Sequence, residues 1–274
     1  MLGGSLLRFF SLQEAIEVFG TVRTAQISQY LPPERHVQII DEVDAGDDMR
    51  LLEVFAEVRP DVVVNCIGVV KQLADAEDPL TAIPINSLLP HRLAKLCAAV
   101  GARLVHLGTD CVFSGGKGNY FESDVPDATD LYGRSKLLGE VDYPNAITLR
   151  TSLIGHELNS SRSLVDWFLS QEGSVKGYQR AIFSGLPTVE IARVIHEYVL
   201  PSPELRGVYH LSVEPISKFD LLSFVAKVYT KDIEIIPDDS VVIDRSLDST
   251  RFREATGFKP KPWPQLIQEM HDFR

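Results

Sequence analysis

Two short apolar runs, flanked by helix-like segments, constrain the fold of this chain more than any other feature. The segments DVVVNCIG (61–68) and ARLVHLGTD (102–110) are rich in aliphatic residues and show little polar alternation. Runs of this kind are typical of parallel strands that are buried on both faces. Amphipathic patterns at 47–58 and 86–100 predict helices, and Gly101 is suited to end the second one. The alternation predicts an α/β fold with a doubly wound parallel sheet.

The remaining segments extend this pattern and then become less regular. Further strands are predicted at 19–24, 36–45 and 146–152, and further amphipathic helices at 3–19, 185–200 and 217–229. Because the regular alternation stops after the strand at 146–152, we divide the chain into a core domain and a smaller lobe. The core domain is predicted to comprise residues 1–154 and the lobe residues 155–274.

The charge and the cysteine content argue against several classes of function. A net charge of −11 leaves no basic excess to neutralise phosphates, so a nucleic-acid partner is not expected. The three cysteines are widely spaced and odd in number, which predicts no disulfide framework and fits a reducing cytoplasm. No run is apolar over the length of a membrane span, and no membrane partner is expected. The histidines lack metal-ligand spacing; they are His36, His91, His106, His156, His196, His210 and His271.

A tyrosine and a lysine share one face of the helix predicted after residue 130. Tyr132 and Lys136 are four residues apart, a little over one helical turn. Since the chain has 8 tyrosines, such a pair also arises by chance, and alone it is weak evidence. Thr109 strengthens it, because it follows a predicted strand of the sheet. Ligands of parallel sheets bind at the carboxyl ends of the strands.

These three side chains suit the reduction of a carbonyl group. When hydride reaches the carbonyl carbon, negative charge grows on the oxygen, which then needs a proton and a second hydrogen-bond donor. Tyr132 can supply the proton and Thr109 the second hydrogen bond. The positive charge of Lys136 is expected to lower the pKa of Tyr132 from its ordinary value of about 10.

Several motifs together resemble the extended short-chain dehydrogenases, and among them the dTDP-4-dehydrorhamnose reductases. They cover nearly the whole chain: RPDVVVNCIG at 59–68, the helix around Asn86, GARLVHLGTDCVFSG at 101–115, LYGRSKLLGE at 131–140, LRTSLIG at 149–155, GVYHLS at 207–212 and RSLDS near 245. The resemblance implies a Rossmann-type NAD(P)-binding domain at 1–154 and a substrate-binding lobe at 155–274. It also implies NADPH-dependent reduction of a 4-keto nucleotide sugar for surface polysaccharide synthesis.

The resemblance further implies roles for individual residues. Thr109, Tyr132 and Lys136 would form the catalytic trio, and Lys136 would also hold the nicotinamide ribose. Gly3 would match the last glycine of the dinucleotide-binding turn, and Asp44 would lie near the adenine. Three residues after the strand at 61–64 would lie along the cofactor, namely Asn65, Cys66 and Ile67.

Roles can also be suggested for two arginines and for three other residues. Arg23 stands where an NAD-specific enzyme carries an acidic residue, so it suits the 2′-phosphate of NADP; a solvated arginine is an equally good interpretation, and NAD stays open. Arg245 would lie in the substrate lobe, where its guanidinium could bind a diphosphate. Asn86 is expected to brace the sheet, Cys111 to be a small packing residue, and His210 to be a hydrogen-bonded strand residue.

The sequence leaves alternatives open for both the substrate and the activity. The resembling enzymes often carry an aromatic residue after the RTS motif, whereas this chain has LIGH at 153–156, so the identity of the sugar is open. One alternative is a nucleotide-sugar epimerase or another deoxysugar reductase. Another is a non-catalytic regulatory subunit, like that of methionine adenosyltransferase. The expected partner is a nucleotide-sugar substrate, with a homodimer left open.

The beginning of the chain departs from the resembling enzymes. There, a strand enters a G-x-x-G-x-x-G turn that opens the first helix, whereas this chain begins Met1-Leu2-Gly3 and matches only the end of that turn. That first strand is central in the order 3-2-1-4-5-6. We therefore expect the natural start to lie upstream of residue 1. The alternative is that Met1 is genuine, with another segment closing the gap or with the chain being a degraded copy.

Overall fold

Helices and strands alternate along the described part of the chain, which is residues 1–25, 37–70 and 77–274 of a computed structural model. The α-helices are α1 (Leu2–Ser11), α2 (Asp48–Val58), α3 (Pro79–Ala82), α4 (Leu89–Val100), α5 (Leu131–Leu138), α6 (Leu164–Ser170), α7 (Thr188–Val194), α8 (Lys218–Val228), α9 (Thr250–Thr256) and α10 (Trp263–Asp272). Two π-helical turns lie at Ile83–Leu88 and Ile195–Val199, and a 3-10 turn at Asp110–Val112. None of the described helices combines the length and the apolar character that a membrane span requires.

The strands are short, and most of them pair in parallel. They are β1 (Val18–Thr21), β2 (Val37–Ile40), β3 (Val62–Asn65), β4 (Arg103–Leu107), β5 (Ala146–Arg150), β6 (Leu153–Ile154), β7 (Ser174–Tyr178), β8 (Ala181–Phe183), β9 (Leu186–Pro187), β10 (Gly207–His210), β11 (Ile216–Ser217), β12 (Glu234–Asp238) and β13 (Ile243–Asp244). The pair of β11 and β8 is antiparallel. The predicted strands at 61–64, 102–110 and 146–152 are therefore confirmed.

Four parallel strands form the core sheet in the order β10-β5-β4-β3. Its register places Val64 beside Val105, and Val105 beside Ile147. β1 and β2 form a separate parallel pair. The parallel arrangement confirms the predicted α/β fold, while the expected upstream strand stays a prediction.

Helices cover both faces of the core sheet. On one face, Leu51 and Phe55 of α2 pack with Leu93 of α4 against Leu104 of β4. The opposite face carries α1 and α7 in the larger core, which also includes Val105 of β4. Burial on both faces explains why these strands lack the polar alternation of a half-exposed strand.

Local signals in the sequence account for the ends of two predicted helices. The Asp47 carboxylate accepts hydrogen bonds from the backbone N–H groups of Met49 and Arg50 and so caps α2. Gly101 ends α4 with a φ of 78°, in the left-handed region that favours glycine. The predictions at 47–58 and 86–100 are confirmed, and the second helix is longer than predicted because α3 and a π-helical turn precede α4.

The predicted helix at 3–19 is wrong beyond Ser11. α1 ends there, and Gln13 and Ile16 donate backbone hydrogen bonds within the turns that follow. Val18 instead begins β1 and pairs in parallel with Val37 of β2. Pairing with a neighbouring strand therefore overrides the helical periodicity of the segment, as tertiary contacts often do.

A proline explains the irregular helix that contains Asn86. In a regular α-helix, the N–H of residue 90 would bond the carbonyl of Asn86, but Pro90 has no N–H to donate. The π-helical turn at Ile83–Leu88 ends two residues before Pro90. The Asn86 carbonyl packs against Gly139, where a Cβ atom would overlap it. π-Helical turns are frequent at functional sites, and this one presents Asn86 to the loop after β3.

The second half of the chain contributes both to the core sheet and to small separate sheets. β10 returns to the core sheet and pairs with β5. The small sheets have the orders β11-β8-β13, β12-β7 and β6-β9. The helices predicted at 185–200 and 217–229 are confirmed by α7, its π-helical extension and α8. β10 follows residue 155 in sequence but completes the core sheet beside β5. The division between residues 154 and 155 therefore stays a prediction.

Candidate active site

Thr109 lies two residues beyond β4, at the carboxyl edge of the core sheet. Its Oγ1 atom accepts a hydrogen bond from the backbone N–H of Cys111 at 3.1 Å, which caps the 3-10 turn. The same hydroxyl donates to Oδ1 of Asp110 at 3.3 Å. Thr109 and Asp110 are both buried. The strand end and the turn therefore hold the Thr109 hydroxyl in a defined orientation.

Helix α5 begins directly against this turn. Asp130 caps it by accepting a hydrogen bond from the Gly133 N–H at 2.9 Å. Gly133 packs so closely on the Cys111 carbonyl and on Ala128 that a Cβ atom would overlap both. This close approach places Tyr132, the preceding residue, beside Thr109.

The Tyr132 phenol lies close enough to the Thr109 side chain for Thr109 to influence its pKa, so the two residues share one site, as the sequence predicted. Burial raises the pKa of the Tyr132 phenol above its ordinary value, and the charges of Cys111, Asp110 and Asp130 raise it further. The Thr109 side chain acts in the opposite direction and favours a lower pKa. The expected lowering of this pKa by Lys136 is therefore wrong for this structure, because desolvation of the phenol dominates.

Lys136 lies one turn after Tyr132 and points to the end of β4. Its Nζ atom donates to the Leu107 carbonyl at 2.9 Å. Burial lowers the pKa of Lys136 to about 8, although Glu140 and Cys66 favour its charged form. Thr109, Tyr132 and Lys136 thus converge at one edge of the sheet, as the Tyr-Lys spacing and the strand end predicted.

The beginning of α1 faces the same edge. A Cβ atom on Gly3 would lie 3.7 Å from Cβ of Cys66, so the first turn of α1 lies beside the loop after β3. The charges of the Met1 amino group and of Lys136 both reach Cys66, whose thiol pKa is nevertheless raised to about 12 by burial. The structure therefore brings Gly3, Cys66 and Lys136 together.

Asn65 fixes the start of the loop after β3. Its side-chain oxygen accepts a hydrogen bond from the Ile67 N–H at 3.0 Å, and its Nδ2 lies 3.1 Å from Nδ1 of His106. His106 is fully buried, and burial together with the charge of Lys136 lowers its pKa. Since the neutral imidazole then accepts at Nδ1, Asn65 is oriented by His106. Ile67 itself is 41% exposed and available for contact with a ligand.

Asn86 connects this loop to α5. Its Oδ1 accepts from the Val69 N–H at 2.9 Å, and its Nδ2 donates to the Val69 carbonyl at 3.1 Å and to Oγ of Ser135 at 3.2 Å. Asn86 is buried, with 1% of its surface exposed. Asn86 therefore braces the loop after β3 against α5, whereas its predicted role at the sheet stays a prediction.

Arg23 and Asp44 lie beyond β1 and β2, at the carboxyl ends of the separate strand pair. Both are exposed. The Asp44 carboxylate accepts a hydrogen bond from the Gly46 N–H at 2.8 Å. Nearby, Oδ1 of Asp41 is buried and has no hydrogen-bond partner among the described residues. The structure shows no contact between these residues and the catalytic trio.

Arg245, the residue after β13, reaches the same loop as Thr109. Its Nε donates to the Phe113 carbonyl at 2.8 Å. Its charge acts on Asp110, whose carboxyl pKa is raised by burial. The guanidinium therefore lies at the catalytic edge, whereas its predicted contact with a diphosphate stays a prediction.

Cys111 is expected to be a small packing residue and His210 a hydrogen-bonded strand residue, and the structure is consistent with both expectations. Cys111 is half-buried in the 3-10 turn. His210 is a buried residue of β10 whose Nδ1 lies 3.0 Å from the Tyr120 carbonyl and 3.2 Å from the Asp248 carbonyl. Because two carbonyls face it, Nδ1 carries the proton. Burial and the charge of Arg150 lower the pKa of His210 to about 4.

Two residues of the site were not singled out from the sequence. Asp110 is a buried carboxyl beside Thr109, and Lys218, the first residue of α8, interacts with it electrostatically. The sequence could have indicated Asp110, because it directly follows Thr109. Lys218 lies far from Thr109 in sequence, and a lysine at the start of an amphipathic helix does not by itself indicate a functional site.

Known proteins similar to this chain include both a reductase and a regulatory subunit. The methionine adenosyltransferase 2 subunit beta of Mus musculus is 24% identical over 259 residues, covering 84% of this chain and 78% of that protein. The dTDP-4-dehydrorhamnose reductase of Mycobacterium tuberculosis is 36% identical over 103 residues, which is 34% of each chain.

The fold of a solved reductase agrees with the topology described above. A crystal structure of dTDP-4-dehydrorhamnose reductase from Bacillus anthracis in complex with NADP has a TM-score of 0.75 and 22% identity, covering 93% of this chain and 98% of that chain. The family described as RmlD substrate binding domain matches this chain over residues 2–273. Since that match spans almost the whole chain, the protein belongs to the RmlD substrate binding domain family, and the predicted resemblance to NAD(P)-dependent sugar-nucleotide reductases is confirmed.

Proposed function

We propose that the protein reduces the 4-keto group of a nucleotide sugar with NADPH, in the synthesis of a surface polysaccharide. The observation that carries the proposal is the convergence of Thr109, Tyr132 and Lys136 at the carboxyl edge of the core sheet. This arrangement offers two hydroxyl donors and one cation at a single point. Those are the groups that stabilise a carbonyl oxygen as it becomes an alkoxide.

The residues around the site fit a nicotinamide dinucleotide. The first turn of α1 offers backbone N–H groups and a positive dipole to a pyrophosphate. The buried Asp41 oxygen without a partner among the described residues suits a donor such as the adenine amino group. Arg23 would contact the 2′-phosphate of NADP, and Lys136 the nicotinamide ribose. When bound, the cofactor supplies the hydride.

Tyr132 is suited to be the proton donor. Its raised pKa keeps the phenol protonated at neutral pH, so the acid form is present before the reaction. Thr109 lies beside the phenol, and its hydroxyl can rotate away from Asp110 to donate a hydrogen bond to the same carbonyl oxygen. The charge of Lys136, one turn away, would stabilise the phenolate that remains after proton transfer.

The substrate lobe supports a nucleotide sugar, while leaving the sugar open. Arg245 lies at the catalytic edge with its Nε held by the Phe113 carbonyl, which orients the guanidinium. The resembling enzymes often carry an aromatic residue after the RTS motif, where this chain has LIGH at 153–156. Asp166 and Tyr229 each lie 2.7 Å from one of the ring nitrogens of His156. Because both nitrogens are engaged, we assign His156 to the support of the lobe rather than to sugar recognition.

A substrate panel tests the proposal directly. NADPH oxidation would be followed with dTDP- and UDP-linked 4-keto sugars, and the product identified by NMR. For at least one of these sugars, we expect stoichiometric NADPH consumption and a new hydroxyl at C4. Tyr132→Phe should lower kcat at least about a hundredfold, the scale of general acid catalysis, while leaving NADPH binding nearly unchanged. Tyr143→Phe is the matched control, because Tyr143 precedes β5 at the opposite edge of the sheet and bonds His91.

Other outcomes would assign a different function. Interconversion of two sugars without net NADPH consumption would indicate an epimerase. Tight NADPH binding without turnover of any sugar would favour a regulatory subunit, as in the methionine adenosyltransferase relatives. Near-normal turnover by Tyr132→Phe would remove Tyr132 from the mechanism.

A further inference from the structure

Tyr120 closes the loop that follows the 3-10 turn after Thr109. Only 3% of its surface is exposed, and its phenol oxygen accepts hydrogen bonds from the backbone N–H groups of Gly115 at 3.2 Å and Lys117 at 3.1 Å. The Tyr120 ring stacks on the Phe113 ring, with 4.1 Å between the centroids and 9° between the planes. Gly115 has a φ of 88°, which favours glycine. The loop at 113–120 is therefore folded around the Tyr120 side chain.

The Tyr120 backbone joins this loop to the segment that carries Arg245. Its N–H donates to the Ser246 carbonyl at 2.8 Å, and its carbonyl accepts from the Asp248 N–H at 2.8 Å. These bonds form a parallel bridge between Tyr120 and Leu247. The loop at 113–120 and the segment at 243–249 are therefore joined at Tyr120.

Arg245 is held by the loop through its Nε atom and its aliphatic stem. Nε donates at 2.8 Å to the carbonyl of Phe113, the residue on which Tyr120 stacks. A Cβ atom on Gly115 would lie only 3.0 Å from Cγ of Arg245, so the stem packs against this glycine. Among the described residues, none accepts a hydrogen bond from the two Nη groups of Arg245. Those groups are left to bind a ligand, while the loop sets their position.

Phe113 connects the same loop to the catalytic turn. Its N–H donates to the Asp110 carbonyl at 3.0 Å and so closes the 3-10 turn that Thr109 caps. Phe113 is fully buried, and its ring contacts Tyr120 while its carbonyl contacts Arg245. Phe113 therefore sets the spacing between Arg245 and Thr109, and Tyr120 holds Phe113 in place.

We propose that Tyr120 is a positioning residue for the nucleotide-sugar substrate and acts through Arg245. Its ring and hydroxyl hold the loop at 113–120 against the segment at 243–249, so that the guanidinium is presented to a diphosphate at a fixed distance from the reacting carbonyl. A guanidinium binds phosphate oxygens through a rigid fork, and such binding depends on its orientation. The inference rests on the proposed function, because a nucleoside diphosphate is the ligand that Arg245 would bind.

Removing only the hydroxyl tests this role. Tyr120→Phe keeps the stacked ring but loses the acceptor of two N–H groups. By calorimetry, the Kd for dTDP or UDP, whichever binds, should rise about tenfold, and NADPH binding should be unchanged. In the NADPH assay, KM for the keto sugar should rise by about the same factor with kcat nearly unchanged, because binding is weakened equally in the ground and transition states. A lower kcat with unchanged KM and Kd would indicate a smaller folded fraction and would overturn the proposal.

A double-mutant cycle shows whether Tyr120 acts through Arg245. Arg245→Met should weaken diphosphate binding more than Tyr120→Phe does. The double variant should then bind no more weakly than Arg245→Met alone, because the group that Tyr120 positions is already absent. Losses that multiply in the double variant would show that Tyr120 acts elsewhere and would overturn the proposal.

Two further variants separate the role of this joint from a general effect of substitution. Ser246→Ala removes the buried hydroxyl that accepts from the Asn119 N–H at 2.8 Å, and it should raise the Kd for the diphosphate in the same way. Tyr209→Phe is the matched control and should change neither Kd nor KM. Tyr209 is buried in β10, and its hydroxyl forms no hydrogen bond within the described part of the chain.

The outcomes distinguish this inference from the proposed function. Unchanged diphosphate binding by Tyr120→Phe and Ser246→Ala, in a protein that still reduces a keto sugar, would overturn the positioning role alone. A parent protein that binds neither dTDP nor UDP would also overturn it. A protein that shows the expected shifts in Kd but reduces no keto sugar would support the positioning role and refute the proposed reductase activity.

Discussion

Replacing Asn86 with alanine should destabilise the protein by about 3 kcal/mol. The substitution leaves the buried Val69 N–H without its acceptor at 2.9 Å, which costs about 1–3 kcal/mol. It also removes the hydrogen bonds to the Val69 carbonyl and to Ser135, each worth about 0.5–1.5 kcal/mol. Water cannot easily replace these partners, because only 1% of the Asn86 surface is exposed.

Urea unfolding measures this loss. If m is about 3 kcal/mol/M, the midpoint should fall by about 1 M urea with m unchanged. Asn159→Ala is the matched control: Asn159 is exposed, and its removal should change stability by less than about 0.5 kcal/mol. A loss below about 1 kcal/mol for Asn86→Ala would refute the reasoning, since it would mean that the loop after β3 does not depend on this side chain.

Three further predictions concern the cofactor, the pH dependence and the core. Arg23→Ala should weaken NADPH binding about tenfold and leave NADH binding little changed, as measured by fluorescence titration; equal losses would make Arg23 structural. The pKa of Lys136 is lowered to about 8, so its charged form prevails below that pH, and kcat should decline as the pH rises through it; a flat profile to pH 10 would contradict this role. Arg150→Met should cost about 3–5 kcal/mol in thermal or urea unfolding, because it leaves the buried Glu140 carboxylate unpaired; the exposed Arg206→Met, its control, should cost little.

The parts of the fold governed by local chemistry could be predicted from the sequence. The runs at Val62–Asn65 and Arg103–Leu107 were recognisable because strands buried on both faces need apolar residues at every position. Asp47 and Gly101 marked helix ends because capping depends on the residue at the cap. Tyr132 was placed near Thr109 because strand ends of a parallel sheet share one edge.

The parts that depend on distant contacts could not be predicted in the same way. Val18 joins a strand because Val37 lies beside it, which helical periodicity does not reveal. The pKa of Tyr132 depends on its burial, and spacing along a helix indicates a neighbouring charge but not desolvation. The electrostatic interaction of Lys218 with Asp110 joins residues that are far apart in sequence, so only the tertiary structure could show it.

The position of β10 has a consequence for how the protein folds. Gly207 of β10 pairs with Ile147 of β5 at one edge of the core sheet. β10 is synthesised long after β5, because β6 to β9 lie between them in sequence. Contacts between residues so far apart in sequence slow folding, because a long loop must close first. During synthesis, β5 would remain an open edge until residue 210 has left the ribosome, and open edges are sites of aggregation. A fragment ending at residue 154 should therefore be insoluble, although it contains the whole catalytic trio.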